Sequence, residues 1–436
     1  MYRIKYLGNL TKEINVPPDK SISHRAAIIS SLCKGKTLIK PFLHSEDTLA
    51  TVDCLEKLGV KTEEKGNSFT VDGAGMYFSR SEKVDLYARE SGTTIRMLSG
   101  VLVAQKFPIE FRAAESLNKR PMDRIVNPLS QMGAEIEGKK QSNSLLNIET
   151  IISPPLSISP SPAGIKGGEF NLKIASAQVK SAIMLASLYA DSQTIIREPY
   201  KSRDHTERML KLFGADITVD GKEIICKPTK KLISPKELYV PSDFSSAAFF
   251  IVLGLILENT ELTIKNVNIN PSRCGLLKVL KEMGANIKIT NEKDGYEPYA
   301  DIIVKSSYLR GAVVEPDEVP SMIDEIPALC VAASFATGRT LIQGISELKV
   351  KETNRIDSIS KNLATAGVKV EVDSDNEMMI EGTREHKPSH FMSFGDHRTA
   401  MSAIILGAVI GNNCTIDDTQ SIKKSFPQFI SLFESL

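Results

Sequence analysis

"LEKLGVKT" occupies residues 55–62, and close variants return as "LSQMGAEI" (129–136), "LKLFGADI" (210–217), "LKEMGANI" (280–287) and "LATAGVKV" (363–370). In each, Leu stands four residues before a Gly, which is followed by Ala or Val and a β-favouring segment. That order predicts an amphipathic helix that stops at a C′ glycine and hands the chain to a strand. The final "SFPQFISLFESL" (425–436) reads as a sixth such helix without its strand.

A second set of segments alternates with the first: "SISHRAAIISSLCKG" (21–35), "SGTTIRMLSGVLVAQ" (91–105), "SAQVKSAIMLASLYA" (176–190), "DFSSAAFFIVLGLIL" (243–257), "EIPALCVAASFATG" (325–338) and "GDHRTAMSAIILGAVIG" (395–411). Each opens on small or capping residues and continues apolar nearly all round, as a buried helix does. The repeating unit is buried helix, strand, amphipathic helix, strands, used about six times. "VPPDKS" (16–21) and "VPSDFS" (240–245) each precede the first buried helix of a triplet. An α/β (α+β) fold of two similar domains is therefore expected, three units in each. The chain would cross near 19–20 and 240–241, where proline limits the backbone and suits a hinge.

The 436 residues carry a formal net charge of +1, which argues against a broad basic surface for nucleic acid or anionic lipid. The first residues lack the apolar stretch of a signal peptide, and the longest apolar run, 247–257, is too short to span a bilayer. The six cysteines are scattered with no CxxC pair, as in a reduced cytoplasmic protein. GxxxxGK[ST], HExxH and GxSxG are all missing, and no cluster has metal-ligand spacing. A cytoplasmic protein, free of nucleic acid and membrane and with no motif for a cofactor or metal, is the expectation.

Polar residues collect where the helices begin. "DKSISHR" holds Lys20, Ser21 and Arg25; "SGTTIR" holds Gly92, Thr93 and Arg96; "SAQVK" holds Ser176 and Gln178; "SRDHTER" holds Ser202 and Arg203. "MIDE" brings Asp324 and Glu325, "KETNR" brings Lys351, Glu352 and Arg355, and "GDHR" brings Asp396, His397 and Arg398. Cations at a helix N-terminus oppose the helix dipole, so either solvent screens them or an anion belongs between them. Parallel buried helices place their N-termini on one side of a domain. Two domains facing each other by that side would line a single anion-binding cleft.

These segments resemble the family of 5-enolpyruvylshikimate-3-phosphate synthases (3-phosphoshikimate 1-carboxyvinyltransferases) over essentially the whole length. "DKSISHR", "ESGTTIR", "NKRPMDR", "SAQVKSA", "SRDHTE", "VKETNR" and "GDHRTAM" occur in family order. The resemblance implies two domains, 1–19 with 241–436 and 20–240, each of three βαβαββ-type units, with the active site in the cleft between them. It implies transfer of the enolpyruvyl group of phosphoenolpyruvate to the 5-hydroxyl of 3-phosphoshikimate, by a monomer. Lys20, Ser21, Arg25, Ser176, Ala177, Gln178, Ser202, Arg203, Asp324 and Lys351 match 3-phosphoshikimate positions. Lys20, Gly92, Arg120, Gln178, Arg355, Arg398 and Lys424 match phosphoenolpyruvate positions. Asp324 matches the acceptor of the hydroxyl proton, Glu352 the group that moves the proton at C3, and Lys20 a catalytic cation. Gly92 matches the position that affects whether glyphosate fits. The alternatives are the enolpyruvyl transferases acting on UDP-N-acetylglucosamine and a non-catalytic anion-binding protein. The first carries a Cys in the loop where this chain reads "AESLNKRP", and the second would lack Lys20, Asp324 or Glu352.

Overall fold

The computed structural model describes residues 1–118, 120–143, 148–373 and 376–436. Its helices are α1 (Lys20–Ser31), α2 (Glu46–Lys57), α3 (Gly92–Leu102), the short α4 (Glu115–Asn118), α5 (Asp123–Gln131), α6 (Ala177–Ser187), α7 (His205–Leu212), α8 (Phe244–Ile256), α9 (Gly275–Glu282), α10 (Ile326–Ser334), α11 (Arg355–Thr365), α12 (His397–Ile410) and α13 (Phe429–Glu434). Lys119, within the "NKRPMDR" motif, lies outside the described residues.

The recurring Leu-x-x-x-Gly phrase is a helix stop. Gly59, Gly133, Gly214, Gly284 and Gly367 all have positive φ, between 84° and 91°. Only a residue without Cβ takes that conformation at no steric cost. Behind each glycine the next amide reaches back to the Leu carbonyl: Val60 to Leu55 at 3.0 Å, Ala134 to Leu129 at 3.1 Å, Ala215 to Leu210 at 2.9 Å, Ala285 to Leu280 at 2.9 Å and Val368 to Leu363 at 3.0 Å. This closes the last turn of α2, α5, α7, α9 and α11 in the same way.

The six buried helices are α1, α3, α6, α8, α10 and α12. Side-chain caps start five of them: Asp19, Ser91, Ser176, Asp243 and Asp396 each accept an amide hydrogen of the first turn. The likeness of "VPPDKS" to "VPSDFS" thus has a physical basis, since each places its Asp at an N-cap.

Five of the six units fold four strands alike. In the second, Val84–Tyr87 runs parallel to Ile109–Arg112, which pairs antiparallel with Ile148–Ser159, itself antiparallel to Glu135–Asn143. The third repeats this with Gly168–Asn171, Thr194–Arg197, Glu223–Cys226 and Ile217–Asp220. The fifth does so with Val313–Val314, Arg339–Gln343, Glu377–Glu381 and Lys369–Asp373. A buried helix joins each parallel pair. In the remaining units one strand arrives from a distance. Glu237–Tyr239 supplies the parallel edge beside Lys34–Lys40, and Thr11–Ile14 supplies it beside Glu261–Asn268. The sixth sheet has three strands, and Tyr2–Arg3 pairs there with Thr415–Ile416.

Packing divides the chain into two compact units, Met1–Pro17 with Pro241–Leu436, and Pro18–Val240. In the first, Phe249 and Phe250 of α8 meet Phe429 of α13 at ring separations of 6.3 and 5.6 Å, which seats the last helix against the core. In the second, α3 and α6 touch through backbone: a Cβ on Gly100 would stand 2.2 Å from the Ala182 carbonyl oxygen. Gly100→Ala should therefore cost about 1–3 kcal/mol in urea unfolding. Gly8→Ala, with nothing within 4 Å of the new Cβ, is the matched control and should be near neutral.

Candidate active site

In the unit Pro18–Val240 the starts of α1, α3 and α6 are tied side chain to side chain. Lys20, the first residue of α1, lies 2.8 Å from Asp47 of α2. Arg25 is buried and reaches both neighbouring helices, donating from Nε to Thr206 Oγ1 at 2.7 Å and from Nη2 to Ser181 Oγ at 3.0 Å. Its Nη1 donates to the Ser21 carbonyl at 2.9 Å. Gln178 joins α6 to α3, accepting from Arg96 at 2.6 Å and donating to Thr93 Oγ1 at 2.9 Å. Ser176 caps α6, and Ala177 is that helix's first residue. Gly92 sits beside Arg120: a Cβ there would stand 3.1 Å from the Arg120 Nη1.

The Ser202 hydroxyl donates to buried Glu198, and its amide reaches the same carboxylate at 3.4 Å. Arg203 follows in the segment leading to α7.

In the unit formed by Met1–Pro17 and Pro241–Leu436, Arg355 is the hub. It is buried, and donates from Nε to Asp396 at 2.9 Å, from Nη1 to Asp324 at 3.2 Å and from Nη2 to Glu352 at 2.6 Å. Burial disfavours its charge, but Asp396, Glu352 and Asp324 outweigh that and push its pKa up. Arg398 donates to the Asp324 backbone carbonyl at 3.1 Å, and Lys351 Nζ lies 4.0 Å from Asp324 Oδ1. Asp324, Lys351, Glu352, Arg355 and Arg398 therefore form one cluster. Lys424 ends the 3₁₀ turn Gln420–Lys424, which packs on α12.

The cations at these helix starts are thus not waiting bare. Lys20 has Asp47, and Arg355 has three carboxylates. Part-exposed Asp324 and Glu352 are held in place by a guanidinium beneath them.

Several participants were not singled out from sequence. Arg273 is buried and donates to Asp243 at 3.0 Å and Ser245 at 2.8 Å, with Glu325 3.7 Å away. Lys180 was legible in principle, since a Lys inside a helix apolar all round needs a partner. Asp47, Thr51 and Ser181 look like ordinary helix residues and carry no sequence signal. Among the described residues no group of three or more His, Cys, Asp or Glu is placed to hold a metal, and no helix is long and apolar enough to cross a membrane.

The EPSP synthase (3-phosphoshikimate 1-carboxyvinyltransferase) family model matches residues 4–433. The chain belongs to this family. A curated 3-phosphoshikimate 1-carboxyvinyltransferase of Thermoanaerobacter sp. (strain X514) is 45% identical over 424 residues, 97% of each chain. One of Syntrophomonas wolfei is 43% identical, covering 99% of this chain and 98% of the relative. Among solved structures, EPSP synthase from Acinetobacter baumannii superposes with a TM-score of 0.86 at 38% identity, over 100% of this chain and 97% of that one. The enolpyruvyl transferase NikO from Streptomyces tendae, at 15% identity and a TM-score of 0.75 over 100% of this chain and 96% of that one, shares the fold.

Inside this EPSP synthase scaffold, buried His24 ties three helices together. Its Nδ1 is 2.7 Å from Thr51 Oγ1, which is 2.7 Å from Thr94 Oγ1, which donates to the α3 cap Ser91 at 2.7 Å. Burial, then the charges of Lys20 and Arg25, hold the imidazole pKa well below its ordinary 6.5. The folded protein keeps His24 neutral while the unfolded chain takes up a proton as pH falls through 6.5. Stability is therefore lost below that pH, by up to about 1.4 kcal/mol per pH unit from this residue. In urea unfolding between about pH 6.5 and 5, His24→Asn should show a shallower acid slope than the wild type.

Proposed function

We infer that this chain transfers the enolpyruvyl group of phosphoenolpyruvate to the 5-hydroxyl of 3-phosphoshikimate, releasing phosphate. The observation that carries this, beside family membership, is the Arg355 cluster, where two part-exposed carboxylates are fixed on one buried guanidinium. Asp324 takes the hydroxyl proton while the hydroxyl oxygen attacks C2 of the alkene and C3 gains a proton. Glu352 serves C3. The resulting tetrahedral ketal loses phosphate as C3 gives its proton back, restoring the alkene. A positioned carboxylate contributes about 10²–10⁴-fold to such proton transfers.

The two substrates bring two phosphates and two carboxylates. Lys20, Ser21, Arg25, Ser176, Ala177, Gln178, Ser202, Arg203, Asp324 and Lys351 are assigned to 3-phosphoshikimate. Lys20, Gly92, Arg120, Gln178, Arg355, Arg398 and Lys424 are assigned to phosphoenolpyruvate. Arginine forks suit these anions because they match carboxylate and phosphate oxygens in pairs. We also propose two domains, 1–19 with 241–436 and 20–240, hinged near 19–20 and 240–241, within two residues of the division into compact units. The protein is assigned to the cytoplasm as a monomer without nucleic-acid partners.

A UDP-N-acetylglucosamine-type transferase would place a reactive Cys in the loop before Arg120. That loop has none, and burial pushes Cys33, Cys54, Cys226 and Cys330 up to about 12, leaving them poor nucleophiles near neutral pH.

Purified protein mixed with 3-phosphoshikimate and phosphoenolpyruvate, with chelator present, should release phosphate. Asp324→Ala and Lys20→Met should lower kcat by about 10²-fold or more. Phosphate release from phosphoenolpyruvate only when UDP-N-acetylglucosamine replaces 3-phosphoshikimate would overturn the assignment. Gly92→Ala should push the Arg120 guanidinium aside, raising KM for phosphoenolpyruvate about tenfold while KM for 3-phosphoshikimate holds, read by the same assay.

A further inference from the structure

Behind the residues assigned to 3-phosphoshikimate lies a buried charged trio that the chemistry does not use. Lys180, in the second turn of α6, is 2.8 Å from Glu198 and 2.6 Å from Glu207 of α7. All three side chains are at most 4% exposed. Glu198 also accepts from the Ser202 hydroxyl and amide, and Lys180 Nζ donates to the Ser202 carbonyl at 3.4 Å. Thr206, next to Glu207, accepts from Arg25 and shares a 2.6 Å hydrogen bond with Ser181 of α6.

Two carboxylates around one ammonium leave an excess negative charge in the interior unless one carboxyl keeps its proton, and Glu207 is the candidate. Burial pushes its pKa up more than Lys180 holds it down, and its Oε2 has no hydrogen-bond partner among the described residues. Apolar side chains of similar volume would fill this space at less desolvation cost. What apolar residues would not do is fix the segment 198–203. Three of Ser202's polar groups, its N–H, O–H and C=O, are engaged by the trio. The hydrogen bond from the Ser202 hydroxyl to Glu198, with the Lys180 bond to the Ser202 carbonyl, anchors this segment's backbone against α6.

We propose that Glu198 and Lys180 are positioning residues for 3-phosphoshikimate, clamping the segment with Ser202 and Arg203 onto α6 beside Ser176, Ala177 and Gln178. The inference rests on the function assigned above. It extends that assignment to two residues that touch no substrate. Apart from Lys20 and Gln178, which both substrates share, phosphoenolpyruvate is assigned to Gly92, Arg120, Arg355, Arg398 and Lys424, none of which lies in the clamped segment 198–203.

Steady-state kinetics on the full chain, varying each substrate in turn, test this. Glu198→Ala removes the acceptor of both Ser202 bonds and should raise KM for 3-phosphoshikimate about tenfold, with kcat and KM for phosphoenolpyruvate within about twofold. Glu198→Gln is isosteric, keeps one oxygen to accept from Ser202 and lets Glu207 ionise to balance Lys180, so it should fold like the wild type and recover much of the loss. Urea midpoints for each variant report folding independently. Unchanged KM for 3-phosphoshikimate in both variants, or equal rises for both substrates, would overturn the clamp while leaving the function intact. Wild-type protein that released no phosphate would overturn the function, and the clamp with it.

Discussion

A helix that is apolar on every side can be buried only if its polar ends are answered, because its first amides have no partner within the helix. Six such helices form the cores of this chain, and the answers to their N-termini are where its candidate site residues gather. Asp19, Ser91, Ser176, Asp243 and Asp396 cap the first turns, and the charged residues beside them are linked from one helix start to the next. Within Pro18–Val240 the links run through Arg25, Gln178 and the His24–Thr51–Thr94–Ser91 chain. Within the other unit they run through Arg273, Arg398 and Arg355. The packing requirement and the site come from one constraint.

The two units meet it with different charge. In Pro18–Val240 the helix-start region offers Lys20, Arg25, Arg96, Arg120 and Arg203 and is capped partly by serines, a composition that favours anions. In the other, Asp243, Asp324, Glu325, Glu352 and Asp396 stand among Arg273, Lys351, Arg355 and Arg398. That mixture pairs carboxylates with guanidinium and ammonium groups that fix their positions. One repeated scaffold thus presents a cation-rich set of helix starts in one unit and a mixed carboxylate–cation set in the other, by changing which residues open its helices.

Much of this was legible in the sequence because it is local. A Schellman stop needs Leu, Gly and a small apolar residue at fixed offsets, so it recurs as text. Caps sit immediately before the helices they serve. What stayed hidden is what depends on tertiary approach. Asp47 reads as an ordinary first-turn acid of α2 until Lys20 is seen beside it. Glu198 and Glu207 read as surface acids until α6 delivers Lys180 between them. The partner strands of the first, fourth and sixth units were illegible for the same reason, since Glu237–Tyr239, Thr11–Ile14 and Tyr2–Arg3 pair with segments far away in the chain.

Those borrowed strands set an order for biosynthesis. Pro18–Val240 contains every partner for its own sheets and can close as soon as Glu237–Tyr239 has emerged from the ribosome. The amino-terminal arm cannot. Thr11–Ile14 must wait for Glu261–Asn268, and Tyr2–Arg3 for Thr415–Ile416, far later in the chain. Tyr2–Arg3 and Thr11–Ile14 therefore find their places long after they are made, and until then the nascent chain holds an unpaired β-arm.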